Sequence, residues 1–222
     1  MFLFENVRGL LNHDHGFTFK TICHAFTEIG YDIQYQLLDA SYYGVGQKRE
    51  RLIIIGVRSD LVGKLSFTFP TPDPRRTTLR DVLQNVPPSP YIPYSEKKRQ
   101  VMALVPPGGC WVDLPEEVGR KYMGNVYDAG GGRRGYARRI AWDEPCMTLT
   151  TSPSQKQTER CHPDETRPFT VREYARIQSF PDDWVFTGTV SEQYKQIGNA
   201  VPAELARRIG RQIVQALSSN TN

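Results

Sequence analysis

The sequence predicts an α/β fold: a partial sheet at the start of the chain, a loop-rich insertion, and a helical return. Three observations carry this. Leu52-Ile53-Ile54-Ile55, closed by Gly56, is an apolar run of strand length that suits the centre of a sheet covered on both faces. Phe19, Ile22, Cys23, Phe26 and Ile29 recur at helical spacing, with Gly30 as a C-terminal stop. Prolines crowd between Pro70 and Pro115, which marks an irregular middle between two regular ends.

Taken in order, Phe2-Leu3-Phe4 reads as the end of a buried strand that delivers Glu5-Asn6-Val7 to its edge. Read as parallel, that strand lacks a preceding partner, so the chain opens as if cut within a domain. After the Phe19 helix, Ile33-Gln34-Tyr35-Gln36-Leu37-Leu38 alternates and predicts a second strand. Gln47-Lys48-Arg49-Glu50-Arg51 then leads into the Leu52 strand. An extended entry sends Arg49 and Arg51 the same way. Two guanidiniums on a rigid element suit a phosphate or a negatively charged carbonyl oxygen, unless they are merely solvated.

From Lys64 to about Arg167 only Leu79 to Leu83 and Ser95 to Leu104 look helical. Gly130-Gly131-Gly132-Arg133-Arg134-Gly135-Tyr136-Ala137-Arg138-Arg139 suits a nucleic-acid backbone, or else a solvated hairpin tip. Cys146-Met147-Thr148-Leu149-Thr150-Thr151 reads as a strand. The polar stretch Ser152 to His162 that follows can read base edges or be an ordinary loop. Thr170-Val171-Arg172-Glu173 is a capping box, and Val201, Leu205, Ile209, Ile213 and Leu217 stripe a last helix.

Composition excludes several classes. Hydrophobic residues make up 39% and charged residues 23%, which argues against a disordered chain. No apolar run reaches membrane-spanning length and Met1 to Glu5 is no signal peptide, so a cytoplasmic location and no membrane partner are expected. Cys23, Cys110, Cys146 and Cys161 form no CxxC pair, which argues against zinc and against a disulfide framework; no metal is expected. A net charge of +4 allows a polyanionic partner without demanding one.

In this order the pieces resemble the C-terminal part of the DNA cytosine-5 methyltransferases. Glu5-Asn6-Val7 is similar to the family's ENV motif and Gln47 to Arg51 to its QxRxR motif. Arg167-Pro168-Phe169-Thr170 through Phe180-Pro181 resembles the ninth motif, and Gln196-Ile197-Gly198-Asn199-Ala200-Val201-Pro202 the tenth. The resemblance implies a partial Rossmann-like methyltransferase sheet (residues 1–63). It implies a smaller, loop-rich, mostly β target-recognition domain at 64–166, and ninth and tenth motif helices at 167–222. The family's Gly-rich cofactor turn and Pro-Cys-Gln loop, which precede ENV, are absent from this sequence. The one Pro-Cys dipeptide, Pro145-Cys146, runs into Met-Thr and is read as structural.

The resemblance also implies roles. Glu5 is the acid at cytosine N3, provided burial raises its pKa. Arg51 is the cation at O2, and Arg49 holds a phosphate or orders the site. Asn199 lies against S-adenosylmethionine, most of which the missing half would bind. The partners implied are double-stranded DNA, from which the target base is flipped, and a separate N-terminal-half chain carrying the nucleophilic cysteine. A restriction-modification setting follows from the family. Arg133, Arg134, Arg138, Arg139, Thr148, Thr151, Gln155, Gln157 and Arg160 are the candidate DNA contacts. The ninth-motif helix is expected to be scaffold. A non-catalytic DNA-binding relic or regulator is the alternative, and a bare half-sheet is expected to self-associate.

Overall fold

The computed structural model describes residues 1–129 and 133–218. Its main sheet has three strands, β1 (Phe2–Val7), β2 (Tyr31–Asp39) and the central β4 (Glu50–Arg58), in the order β1-β4-β2. Helix α1 (Phe17–Glu28) joins β1 to β2, and a two-residue strand β3 (Gln47–Lys48) precedes β4. As the Leu52 run predicts, β4 is buried from Leu52 to Val57. Alternation sends Ile53, Ile55 and Val57 against Leu205 and Ile209 of the last helix, and Leu52 and Ile54 against Phe19 of α1. Each such side chain, fully removed from water, contributes roughly 1.5–3 kcal/mol, so a charge at Ile54 would be among the most damaging changes.

Two expectations about β1 are corrected. It pairs antiparallel with β4, from Phe2↔Gly56 to Val7↔Arg51, and it is an edge rather than a buried strand. Leu3 is 45% exposed, because no described residue covers its side of the edge. Gly56 is required here: a Cβ at that position would lie 2.1 Å from the Phe2 ring. Val7, Phe17 and Ile29 are exposed as well, so the predicted α1 stripe is buried only at Phe19 and half-buried at Ile22, Cys23 and Phe26.

The middle segment is loop-rich as expected, but its regular structure is helical rather than mostly β. It holds α2 (Leu79–Val82), α3 (Glu96–Ala103) and α4 (Glu116–Met123), and among its described residues one short strand, β5 (Cys146–Met147), parallel to β3. The strand predicted from Cys146 stops at Met147 because Leu149 and Thr150 turn their backbone to side chains, Gln47 and Tyr174. Helix α4 has no counterpart among the elements that the sequence pattern predicts. Two cores divide the segment: Tyr94, Met102, Val105, Leu114 and Cys161 pack together, while Leu79, Ile140, Cys146 and Leu149 join the C-terminal helices.

Those helices are α5 (Val171–Ile177), α6 (Val190–Asn199) and α7 (Ala203–Ser218). The predicted capping box forms: Thr170 Oγ1 accepts the Glu173 N–H and Glu173 Oε2 accepts the Thr170 N–H at 2.7 Å. On α7 the buried positions are Leu205, Ile209 and Ala216, whereas Leu217 is 50% exposed. A strict four-residue spacing drifts off a helix of 3.6 residues per turn, so the stripe moves to Ala216.

Candidate active site and its supports

Glu5 sits opposite Ile53 and Val7 opposite Arg51, so Glu5 and Arg51 are diagonal neighbours on one face of the β1–β4 pair. Their side chains meet: Arg51 Nε lies 2.6 Å from Glu5 Oε1. Arg51 Nη1 donates to the Glu50 carbonyl at 2.8 Å, which fixes the guanidinium plane. Burial lowers the Arg51 pKa and the Glu5 carboxylate opposes that shift. Arg51 is 12% exposed and Glu5 27%, so the pair stands at a mouth rather than in a core. The deep burial expected of Glu5 is not supplied by this chain. Asn6 Oδ1 accepts the Val7 N–H at 2.8 Å at the end of the strand.

Arg49 leaves the same strand entry for a different environment. Its Nη1 donates to the Leu149 carbonyl at 3.1 Å and Nη2 to the Gly198 carbonyl at 3.0 Å. Burial first, then repulsion from Arg51, lowers its pKa to about 10. Both terminal nitrogens are taken by carbonyls, Nε is buried without a partner among the described residues, and the residue is 4% exposed, so no fork faces outward for a phosphate and the side chain ties the strand entry to Leu149 and Gly198 instead. Gln47 does the same work beside it. Gln47 Oε1 accepts the Leu149 N–H at 2.9 Å, and its amide donates to Gln178 Oε1. Gln178 in turn donates to the Ile197 and Ala200 carbonyls at 3.1 and 2.6 Å. The sheet mouth, the middle segment, the end of α5 and the α6–α7 turn are thereby tied through buried polar groups. Gly198 completes the tie: a Cβ there would stand 2.2 Å from the Thr150 carbonyl oxygen. Sequence reasoning placed Gln178 in the ninth-motif scaffold and gave Gln47 no role of its own; a glutamine beside a wholly apolar run was the available signal.

The candidate DNA contacts divide sharply. Arg139 is 4% exposed and donates to the carbonyls of Met102, Val105, His162, Pro163 and Glu165. Arg160 is buried and donates to the Glu159 and Thr148 carbonyls. Arg138 bonds the Gly108 carbonyl and Glu144, and Arg133 the carbonyls of Val126 and Ala129. Arg139, Arg160 and Arg138 are corrected to internal fasteners, and Arg133 is half-buried with Nη1 alone engaged. A segment poor in strands and helices leaves carbonyls unpaired, and a buried carbonyl needs a donor. Arg134, Thr148, Thr151, Gln155 and Gln157 are exposed, with the Thr148 hydroxyl turned to the Lys48 carbonyl at 2.8 Å. Gly130, Gly131 and Gly132 of the same loop lie outside the described residues.

The cysteines behave as structural groups. Cys146 is fully buried and its thiol is pushed up to about 12 by desolvation. Burial also raises Cys161, whose Sγ meets the Glu165 carbonyl, and Cys23, which packs with Phe4, Leu52 and Ile54 on the face away from Glu5. Cys110 is buried. Asn199 is exposed and closes α6 rather than capping α7, since Ala200 to Pro202 intervene. One exposed amide beside a rigid turn does not make a site for a nucleoside-sized cofactor; the residues present do not fit one by themselves. Among the described residues no cluster could hold a metal ion, and no helix is long and apolar enough to cross a membrane.

The pattern that defines the C-5 cytosine-specific DNA methylases matches residues 1–215. Type II methyltransferase M.Sau96I of Staphylococcus aureus is 59% identical over 98% of this chain and 51% of its own length. Type II methyltransferase M.Eco47II of Escherichia coli is 51% identical over 97% and 54%. The chain thus spans about half the length of these relatives. A solved DNA modification methyltransferase encoded within an Escherichia coli prophage superposes with a TM-score of 0.63 at 21% identity, covering 98% of this chain and 69% of that one. The Dnmt2 methyltransferase of S. pombe does so with a TM-score of 0.57 at 15% identity, covering 97% and 66%. With the ENV-like strand end, the arginine pair and the two late helical motifs in this order, the chain belongs to the C-5 cytosine-specific DNA methylase family.

Proposed function

We propose that the chain is the C-terminal portion of a DNA cytosine-5 methyltransferase, of the kind found in restriction-modification systems. It provides half of the catalytic domain (1–63), the target-recognition domain (64–166) and the ninth and tenth motif helices (167–222). The observation that carries this is the 2.6 Å contact of Glu5 with Arg51 on one face of a rigid strand pair. A thiolate that attacks C6 of cytosine needs the ring activated at N3 and the charge on O2 met by a cation. In this reading Glu5 takes the first task and Arg51 the second. Arg49 and the Gln47–Gln178 pair are positioning residues that hold the strand mouth against the recognition segment. The target must leave the duplex to reach this pair, so base flipping belongs to the reading.

The nucleophilic cysteine and most of the cofactor site come from an N-terminal portion, as a separate chain or a preceding segment. S-adenosylmethionine would supply the electrophilic methyl group there, with Asn199 of this chain at the margin of a site that the other portion would build. Exposed Leu3, Val7 and Phe17 support a missing neighbour along β1 and α1. Tritiated-methyl transfer to duplex DNA tests the reading. The chain alone is expected to be inactive, and activity to appear on mixing with the N-terminal half of a relative. A silent mixture beside an active fusion of the two halves sinks the separate-chain form of the reading, and silence of both while an intact relative transfers methyl groups makes the chain a DNA-binding relic instead.

A further inference from the structure

We propose that the groove between α3 and α4 is a sequence-independent contact for the DNA backbone beside the target site, which rests on the DNA reading above. The groove has a volume of about 810 Å³, and its apolar lining is Val101, Leu104, Val118 and Tyr122. Around it stand Lys97, Lys121 and Lys156, with Glu117 as the one unpaired carboxylate in the lining. Lys97, Lys121 and Lys156 enter no ion pair among the described residues, whereas arginines of the middle segment such as Arg99, Arg120, Arg133, Arg138, Arg139 and Arg160 are occupied by carbonyls and carboxylates.

The groove is held in shape from beneath. Glu159 is wholly buried and pairs with Lys98, and it accepts the Tyr122 hydroxyl at 2.5 Å and the Ala137 N–H. Lys98 also donates to the Ser154 carbonyl at 2.6 Å. One carboxylate therefore fastens α3, α4 and the loop of residues 152–158 together. A buried carboxylate stripped of these partners would be costly. Lys156, from that loop, lies 5.0 Å over the Tyr122 ring.

Charge and position name the occupant. Three ammonium groups without a counter-ion among the described residues, beside an apolar lining, suit phosphates spaced along a chain, with sugar faces against that lining; they do not suit a single carboxylate, which a fork would grip. The loop that carries Lys156 also carries exposed Gln155 and Gln157. A strand of DNA in the groove therefore runs on toward side chains able to reach base edges. Backbone contacts of this kind set register and affinity without reading sequence.

The test is duplex DNA binding by the full chain across a salt series, for wild type and for a Lys97→Gln, Lys121→Gln, Lys156→Gln variant. The slope of log affinity against log salt is expected to fall by about 2.7 in the variant, at about 0.9 for each phosphate that a lysine neutralises. A Lys20→Gln, Lys64→Gln variant, altered on α1 and beyond the far end of β4, should keep the wild-type slope. Acetylation footprinting of the wild type gives a second readout: DNA should protect Lys97, Lys121 and Lys156 and leave Lys20 and Lys64 reactive. Wild-type slope in the triple variant together with unprotected lysines overturns the groove and leaves the DNA reading standing. Binding that is absent or insensitive to salt in the wild type overturns both. Protection by poly-glutamate but not by DNA overturns the assignment in favour of an acidic polypeptide.

Discussion

The arginines at the mouth of β4 and those of residues 133–139 look equivalent as sequence, yet they meet opposite fates. Arg51 faces a carboxylate at a partly open mouth, where a third group can join the pair. Arg139 is enclosed by backbone carbonyls that use its whole fork. Arg49 lies between them: it belongs to the first stretch by position and to the second by chemistry. What separates them is whether the surrounding backbone is already satisfied. Beside a hydrogen-bonded sheet an arginine is left over for a ligand; inside a segment of turns it is recruited by carbonyls that have no other donor.

The largest effect that could break this contrast is on stability. Arg139→Ala should cost about 3–5 kcal/mol in urea unfolding, since it strands several buried carbonyls at once. Arg134→Ala should stay within about 0.5 kcal/mol. Equal effects would erase the distinction. Next, Arg51→Ala in the reassembled enzyme should slow methyl transfer by about 10²–10³-fold, the size expected for loss of one stabiliser of a developing oxyanion. Its unfolding midpoint should barely move, because a half-open ion pair contributes about 1 kcal/mol or less. Arg49→Lys sharpens the point by doing the reverse, lowering the midpoint more than the rate.

Cys146 offers a smaller test. Its thiol, raised to about 12 by burial, is almost wholly protonated from pH 7 to 9 and shielded from reagent, so alkylation of the folded chain should be far slower than that of an exposed thiol across this range. Rapid labelling there would restore it as a candidate nucleophile. Smallest of all, Arg134→Gln should lower the salt slope of DNA binding by about 0.9, while Arg138→Gln, already committed to Gly108 and Glu144, should leave it unchanged.

Much of the framework was legible because it obeys local rules. The Leu52 run, the alternating Ile33 strand, the Thr170 capping box and the α7 stripe each repeat a pattern that backbone geometry imposes. The ENV-like and QxRxR-like stretches located Glu5 and Arg51. The helical character of the middle segment was not legible, because α4, Glu116–Met123, has no long apolar repeat and turns only Gly119 and Met123 fully inward. The Gln47–Gln178 pair was equally hidden, its partners lying 131 residues apart.

By itself the sequence determined the family, the order of the sheet and helix motifs, and which acid and which arginine come to one mouth. Periodicity and motif order are local or linear properties, and they survive without knowledge of contacts. Tertiary structure alone decided which cations remain available. A guanidinium answers to whatever unpaired oxygen the fold brings within about 3 Å, and neither the five carbonyls around Arg139 nor the absence of a counter-ion for Lys97, Lys121 and Lys156 among the described residues has any trace in residue order.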